Sequence, residues 1–504
     1  MYNFASIADH NASRYPDKVV LAQGDRRVTN RTFLDRVNAL AAGFRDLGIE
    51  SGDIVAVLLY NHIEFIETVF ALNRIGAAFL PLNYRLSPSE WEYILTHSEA
   101  AAIVSEREFV AAVNGIAPRR RLLVGAAPLD GWVSYEDLLA RHSGASVPVE
   151  PVAADHLQRL MYTSGTTARP KGVRITHGNV LFKNLGHIVE FGLTSADTTL
   201  VCGPLYHVGG LDLPGLGTLH AGGSLIVLRK FDAREVLDTI EREWPTNVWL
   251  APSMMNALLQ LPDTADRDTS SLRFIIGGGE KMPEPLIERI LAAFPGTWFS
   301  DAYGLTETVS GDTFNDAEHM LAKVGSVGRP VVHTQVRIVD DQGNEVPRGA
   351  LGEITLSGPK VFAGYWRDPE ATARALRDGW FHTGDVGRVD EDGYLYVEDR
   401  KKDMIVSGGE NIATPEVERV LYEHPDVVEA AVVGIPHERW GEVPKAYVVT
   451  KPGSSLDAAG LVEFCRERLA KFKVPAEVHF LDELPRTPSG KVLKRDLRTL
   501  PVIA

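Results

Sequence analysis

The residues best suited to chemistry in this 504-residue chain form a loop rich in small hydroxyl side chains. The loop reads Thr163-Ser164-Gly165-Thr166-Thr167-Ala168-Arg169-Pro170-Lys171-Gly172. Its small side chains leave backbone N–H groups open to the oxygens of a triphosphate, and Lys171 adds a fixed positive charge. The Gly-x-x-x-x-Gly-Lys-[Ser/Thr] spacing of a P-loop is absent. The loop therefore predicts phosphate binding of another kind, with a surface turn as the alternative.

A second segment places a carboxylate, an aromatic ring and a hydroxyl on one short turn. It reads Asp301-Ala302-Tyr303-Gly304-Leu305-Thr306-Glu307. Tyr303 could stack on a nucleotide base, and Glu307 could hold Mg²⁺ against phosphate oxygens. The alternative is a helix start that is capped by the threonine.

Three further side chains are candidates for contacts to a nucleotide. Asp385 ends a strand-like run and could accept hydrogen bonds from ribose hydroxyls, and Arg400 could bind the same ribose. Lys491 stands on a loop, 485–491, that is bounded by two prolines. The alternatives are a surface turn for Asp385, a solvated charge cluster for Arg400 and a flexible basic tail for Lys491.

Composition limits the class of protein. A hydrophobic content of 44% and a charged content of 24% are typical of a soluble globular chain. Two cysteines cannot supply a disulfide framework and suit a reducing cytoplasm. The net charge of −15 argues against broad nucleic-acid binding. The first residues lack the features of a secretory signal, and no apolar run is long enough to cross a bilayer.

These residues must be positioned by alternating helices and strands, which predict an α/β fold. In the first 150 residues we predict strands at 53–59 and 77–82 around a helix at 63–75. Further strands are predicted at 199–201, 224–228, 247–250 and 274–276. Several end in glycine, proline or serine clusters, where open α/β sheets bind their ligands.

The pattern changes after about residue 330. Residues 335–340 and 352–356 predict an antiparallel strand pair. The last hundred residues look self-contained, and their predicted elements are a helix at 415–423, strands at 427–434 and 443–450, and a helix at 456–470. We predict two domains, 1–399 and 400–504, with the boundary near Arg400.

Together these motifs, in this order and spacing, resemble the adenylate-forming superfamily, within which the chain looks most like bacterial acyl-CoA synthetases. Residues 277–280, Gly-Gly-Gly-Glu, match as well. The resemblance covers nearly the whole chain. It implies a large N-terminal domain of two α/β sheet subdomains and a small β-barrel-like one, followed by a smaller, mobile α+β domain.

The resemblance also implies roles for individual residues. Those expected to cradle the β- and γ-phosphates are Thr163, Ser164, Gly165, Thr166, Thr167 and Lys171. Glu307, with Thr166, would bind Mg²⁺, and Thr306 would touch the α-phosphate. The residues expected around the adenine are Gly278, Gly279, Glu280, Asp301, Ala302, Tyr303 and Gly304.

The remaining implied roles concern the ribose, the reacting groups and the moving domain. Asp385 and Arg400 would hold the ribose. Lys491 would bridge the carboxylate and the α-phosphate. Lys402 matches the hinge, and Gly408 with Gly409 would line a tunnel for a thiol.

An apolar set is expected around the acyl group. Its members are Leu211, Asp212, Trp249, Met254, Met255, Met282 and Val309, with His207 as a gate between the acid and thiol sites. A packed structural role for His207 is the alternative. The apolar majority favours an aliphatic or aromatic acid over a dicarboxylate. Asp212 and Asp312 do not suit such a wall, and would recognise an amino or hydroxyl group or face solvent.

The expected activity is therefore ATP- and Mg²⁺-dependent activation of a fatty or aromatic acid to an acyl-adenylate, followed by transfer to coenzyme A. The alternatives are a carrier-protein phosphopantetheine or an amine as acceptor, nitrite activation for diazotisation, and a silent AMP- or ATP-binding protein. Ala168, where relatives usually have Gly or Ser, predicts slower ATP handling. Ala413-Thr414 replaces an aromatic–proline pair of many relatives, which bears on the acceptor. We expect a cytoplasmic monomer or homodimer.

Overall fold

The strands in the described part of this chain form four sheets. The computed structural model describes residues 2–125, 129–163, 170–280, 282–401, 403–407, 410–437, 440–487 and 490–500. No helix among these residues is long and apolar enough to span a bilayer.

The first sheet has seven strands, and the first six of them in spatial order run parallel. That order is Val133–Ser134, Arg120–Val124, Ala102–Glu106, Ile54–Leu58, Ala78–Pro81, Leu157–Thr163 and Lys171–Thr176. All five residues of Ile54–Leu58 are buried, as expected for a strand covered on both faces. The helices of this part of the chain are Ser6–Arg14, Asn30–Asp46, Ile63–Arg74, Pro88–Ser98, Arg107–Val113 and Tyr135–Arg141.

The second sheet has nine strands, with a parallel centre and antiparallel edges. Its spatial order is Arg329–Pro330, Thr313–Phe314, Trp298–Tyr303, Phe274–Gly278, Asn247–Leu250, Thr198–Val201, Ser224–Val227, Val19–Gln23 and Arg26–Thr29. The α-helices here are His177–Phe191, Val208–Leu211, Gly217–His220, Ala233–Glu243, Pro252–Leu259 and Glu284–Ala293, with a π-helix at Asp212–Leu216 and 3₁₀ turns at Thr264–Asp266 and Thr306–Thr308. The strands predicted in both sheets are confirmed to within a few residues.

The third sheet is antiparallel and has five strands, with one helix, Pro369–Ala375. The strands are Gln335–Val339, Gly352–Ser357, Trp380–Val389, Leu376–Arg377 and Leu395–Arg400. The predicted pair at 335–340 and 352–356 is confirmed, since Gln335 pairs with Ser357 and Val339 with Glu353. The register of this sheet also places Asp385 opposite Arg400.

The fourth sheet lies after Arg400 in the chain and has its own apolar core. Its strands are Glu410–Ile412, Ile405–Ser407, Gly441–Thr450, Val427–His437 and Glu477–Phe480. The helical elements here are Thr414–Tyr422, Ala458–Arg466, a 3₁₀ turn at Lys471–Lys473, and Lys494–Thr499. The predicted helix at 456–470 was too long. Asp457 caps its start by accepting from the Gly460 N–H (2.8 Å), and Pro475 disfavours helix in the residues before it.

Candidate active site

Three of the expected nucleotide-binding residues converge at the junction of the second and third sheets. Tyr303, at the end of Trp298–Tyr303, donates its hydroxyl to Oδ2 of Asp385 at 2.8 Å. Oδ1 of Asp385 lies 3.3 Å from Nε of Arg400. Burial raises the pKa of Asp385, while Arg400 and the Tyr303 hydroxyl oppose that rise. The arrangement brings together an aromatic ring, a carboxylate and a guanidinium, the groups that could hold a base and its ribose.

Glu307 lies on the 3₁₀ turn Thr306–Thr308 and is held from two directions. The Tyr365 hydroxyl donates to Oε1 of Glu307 at 2.9 Å, and the Phe362 N–H donates to its carbonyl at 2.7 Å. Burial raises the pKa of this carboxyl, and the Tyr365 hydrogen bond is among the contacts that oppose the rise. The Tyr365 bond therefore orients a carboxylate that keeps acceptor sites for a metal ion.

The two ends of the hydroxyl-rich loop are paired strand residues, Thr163 and Lys171. The Lys171 ammonium lies over the ring of Tyr365, 5.0 Å from the ring centre. Since Tyr365 also bonds Glu307, one aromatic side chain connects the expected phosphate cation to the expected metal ligand. The remaining expected loop residues, Ser164, Gly165, Thr166 and Thr167, lie outside the described residues.

The turn that follows Glu307 is fixed by a buried ion pair. Val309, Ser310 and Gly311 have φ values of 58°, 63° and 62°, a left-handed run that is costly for the first two. Lys360 donates to the carbonyls of Ser310 and Gly311 at 2.8 and 2.6 Å, and its Nζ lies 3.0 Å from Oδ1 of Asp312. The expectation for Asp312 was therefore wrong, because its carboxylate is enclosed by Lys360 and the Thr308 hydroxyl rather than facing substrate or solvent.

The expectation for Asp212 was wrong for a similar reason. Its Oδ2 lies 2.7 Å from Nη2 of Arg159 and its Oδ1 lies 3.0 Å from Nζ of Lys183, and all three side chains are fully buried. Burial lowers the pKa of Lys183 to about 8, and Asp212 opposes that change. Asp212 therefore joins the first sheet to helix His177–Phe191 through a buried ion network.

His207 and Trp249 form the polar edge of the expected acyl region. Nδ1 of His207 accepts from the Gly209 N–H at 3.1 Å, and the two aromatic rings stack 6.2 Å apart. Two positions beside the Trp249 indole require glycine. A β carbon on Gly203 would lie 2.6 Å from the indole, and one on Gly209 would lie 2.4 Å from it. The expected apolar residues Leu211, Met254, Met255, Met282 and Val309 are all buried.

The tautomer of His207 follows from its hydrogen bond. An Nδ1 that accepts carries no proton, so the neutral ring carries its proton on Nε2. Burial lowers the pKa of His207 to about 3, with the Lys491 cation lowering it further and Asp212 opposing. His207 is therefore neutral at physiological pH.

Lys491 reaches the same cleft from the C-terminal side. Burial lowers its pKa, and Arg400 lowers it further, whereas the carboxylates of Glu280, Asp385 and Glu307 raise it. These electrostatic partners include the expected ribose and metal ligands. Lys491 thus lies where an acid carboxylate and a nucleotide phosphate could meet.

The glycine run 277–280 closes the nucleotide side. Gly278 pairs with Ala302 and has a φ of 154°, and a β carbon there would lie 2.9 Å from the Ala302 carbonyl oxygen. Gly279 has a φ of 105°. The carboxylate of Glu280, which we expected beside the adenine, accepts from the N–H of Val492 in the C-terminal domain at 2.7 Å.

Four residues that position this site were missed in the sequence: Arg159, Lys183, Lys360 and Tyr365. Each acts on a residue 29 to 58 positions away along the chain, so no local pattern marks it. Two signals were available. Arg159 is the one charged residue of strand Leu157–Thr163, and Tyr365 belongs to a Gly-Tyr-Trp run at 364–366.

Comparison with known proteins identifies the family. The model for AMP-binding enzymes matches residues 8–366, and that for the AMP-binding enzyme C-terminal domain matches residues 416–491. The chain therefore belongs to the AMP-binding enzyme family of the adenylate-forming superfamily, which confirms the resemblance seen in its motifs.

Curated relatives and solved structures are similar over almost the whole chain. A feruloyl-CoA synthase from Amycolatopsis sp is 43% identical, covering 96% of each chain. An indoleacetate–CoA ligase from Aromatoleum aromaticum is 40% identical, covering 98% of this chain and 97% of its own. The crystal structure of the anthranilate CoA ligase AuaEII with anthranoyl-AMP has a TM-score of 0.92 at 29% identity, covering 99% and 97%. These likenesses confirm the expected fold class, a large α/β N-terminal part and a smaller C-terminal one.

Proposed function

We propose that this chain is an AMP-forming acid–CoA ligase that activates an aromatic carboxylic acid. The observation that carries the proposal is the convergence of the expected nucleotide, metal and acid contacts on one cleft, with Lys491 entering it from the C-terminal domain. The similarity to CoA ligases along the full chain supports the same reaction.

The first half-reaction joins two anions. A carboxylate oxygen of the acid attacks the α-phosphorus of ATP, the new acyl O–P bond forms, and pyrophosphate leaves. Lys491 offsets the charge that develops between the carboxylate and the phosphate. Asp385 and Arg400 orient the ribose, and Lys171 neutralises the outer phosphates.

The residues present fit a magnesium ion that is shared with the phosphates of ATP. Among the described residues, no cluster of three or more His, Cys, Asp or Glu side chains could hold a metal by itself. Mg²⁺ commonly takes one or two carboxylates and fills its shell with phosphate oxygens and water. Glu307, with one oxygen held by Tyr365, would supply that carboxylate, and the ion would neutralise phosphate charge.

The second half-reaction moves the acyl group to sulfur. The thiol of coenzyme A attacks the carbonyl carbon, the C–S bond forms, the C–O bond to AMP breaks so that AMP leaves, and the thiol proton passes to solvent. Acyl-adenylates hydrolyse readily, so water must be excluded while the site is rebuilt for the thiol. We assign the rebuilding to rotation of residues 400–504 about Lys402, with Gly408 and Gly409 lining the thiol tunnel; these three residues lie outside the described ones.

An aryl acid is the favoured substrate class. The stacked His207 and Trp249 rings offer flat faces, and two glycines make the room that the indole fills. The relatives named above are ligases of feruloyl, indoleacetate and anthranilate groups, all of them aromatic. The two buried cysteines suit a cytoplasmic location, and a monomer or homodimer remains our expectation.

The test is ATP–pyrophosphate exchange across a panel of aryl, fatty and dicarboxylic acids. Mass spectrometry with coenzyme A, a carrier protein or an amine then identifies the acceptor. We expect exchange with aryl acids and a thioester with coenzyme A. Binding of AMP without exchange for any acid would contradict an enzyme, and product only with a carrier protein or an amine would contradict the CoA acceptor.

A further inference from the structure

The described residues of the loop that carries Lys491 are hydrogen-bonded to one another. The Thr487 N–H donates to the Lys491 carbonyl at 2.6 Å, and the Lys491 N–H donates to the Thr487 hydroxyl at 3.0 Å. Arg486 and Val492 form an antiparallel bridge, and Arg486 also donates to the Gly490 carbonyl at 2.7 Å. Because the loop is tied to itself in this way, one contact from outside can set the direction of the Lys491 side chain.

Glu280 supplies such a contact from the N-terminal domain. Its Oε1 accepts from the Val492 N–H at 2.7 Å, and its Oε2 lies 4.0 Å from Nη1 of Arg486. The neighbouring Gly278 and Gly279 have positive φ values, so the backbone turns at the strand end immediately before Glu280. The bond joins residues 212 positions apart and lies next to Lys491.

We propose that Glu280 is a positioning residue that docks the Lys491 loop for the adenylation step; this rests on the proposed function. A carboxylate that accepts a backbone N–H forms a charge-assisted hydrogen bond, which is stronger than a neutral one. Its negative charge also favours the protonated form of Lys491. The Glu280 side chain is 27% exposed, so water can replace the Val492 N–H when the C-terminal domain leaves for the thiol step. The contact thus favours one pose without preventing the other.

The test compares Glu280→Ala, Glu280→Gln and the control Glu288→Ala, an exposed glutamate on the next helix. Two rates are measured with an acid that the parent activates: ATP–pyrophosphate exchange, and thioester formation from preformed acyl-adenylate and coenzyme A. Losing one charge-assisted hydrogen bond should lower the rate of ATP–pyrophosphate exchange about tenfold in Glu280→Ala. Glu280→Gln should stay within about threefold of the parent, because its amide oxygen still accepts. Thioester formation should not change in any variant.

A second measurement does not depend on activity. Hydrogen–deuterium exchange of the peptide over residues 486–492, with AMP bound, should be about tenfold faster in Glu280→Ala and unchanged in Glu288→Ala. The docking role would be overturned if deuterium exchange of this peptide were unchanged in Glu280→Ala. An equal loss of rate in both half-reactions of that variant would also overturn it. A parent that exchanges pyrophosphate with no acid would instead contradict the proposed function, while the deuterium result would still decide whether Glu280 docks the loop.

Discussion

The two sides of the cleft are held together in different ways. On the acyl side, Asp212 meets Arg159 and Lys183 with no exposure to solvent, and Asp312 meets Lys360 in the same manner. On the C-terminal side the contacts are partly open to water, since the side chains of Arg486 and Glu280, which lie 4.0 Å apart, are 25% and 27% exposed. A buried ion pair cannot be exchanged for water without a large cost, whereas an open contact can. The difference fits the proposed motion, in which the N-terminal domain would be a fixed half that receives the substrates and the C-terminal domain a moving half.

The largest expected effect is on the fixed half. Asp212→Ala leaves two buried cations without their carboxylate, and we expect a loss of about 3–5 kcal/mol in the free energy of unfolding. Chemical unfolding measures it. The control is Asp17→Ala, which breaks the exposed pair with Arg31 and should cost at most about 1 kcal/mol. If the two variants lost equal free energy of unfolding, the buried ion network would contribute no more stability than an exposed ion pair.

Lys491→Ala tests the moving half, because it should slow the adenylation step only. Removing a charge that stabilises the developing phosphate should slow adenylation about 100- to 1,000-fold. Thioester formation from preformed acyl-adenylate should persist at close to the parent rate, because the lysine is needed in one pose only. Lys471→Ala, an exposed lysine of the same domain, is the control. Equal losses in both half-reactions would contradict two separate poses.

Tyr365→Phe tests whether the fixed half prebuilds its metal site. The variant keeps the ring under Lys171 but loses the hydrogen bond to Glu307. We expect the Mg²⁺ concentration for half-maximal ATP binding to rise about fivefold to tenfold, since the carboxylate is then less well oriented. Thermal shift with ATP over a Mg²⁺ series measures this without turnover. Tyr394→Phe, which removes a hydrogen bond to Asp316, should leave the Mg²⁺ dependence unchanged.

The last effect depends on pH and involves His207. The pKa of His207 in the folded chain, about 3, lies below its usual value of 6.5. Between these values the unfolded state binds more protons, so His207 contributes stability that is present above pH 6.5 and is lost as the pH falls. The parent should lose stability relative to His207→Gln below pH 6.5, as measured by urea unfolding from pH 4.5 to 8. If the difference in unfolding free energy between the parent and His207→Gln did not change with pH, protonation of the His207 ring would cost the folded chain nothing.

The strands could be predicted from the sequence, and so could the residues expected to contact a nucleotide, because both depend on local features. Residues 54–58 form a continuous apolar run, and Tyr303, Glu307 and Asp385 stand in compact motifs. The roles of Asp212, Asp312 and Glu280 could not be predicted. Each carboxylate contacts a partner that is distant in the chain. Neither composition nor spacing reveals that Lys360 will lie next to Asp312, or Val492 next to Glu280.

The central claim is that the acid is activated through its own oxygen on the α-phosphate of ATP. The most direct measurement uses an aryl acid labelled with ¹⁸O in its carboxylate, with mass spectrometry of all products after reaction with ATP and coenzyme A. We expect one labelled oxygen in AMP, one in the thioester and none in pyrophosphate. Label in inorganic phosphate, formation of ADP, or unlabelled AMP would contradict it.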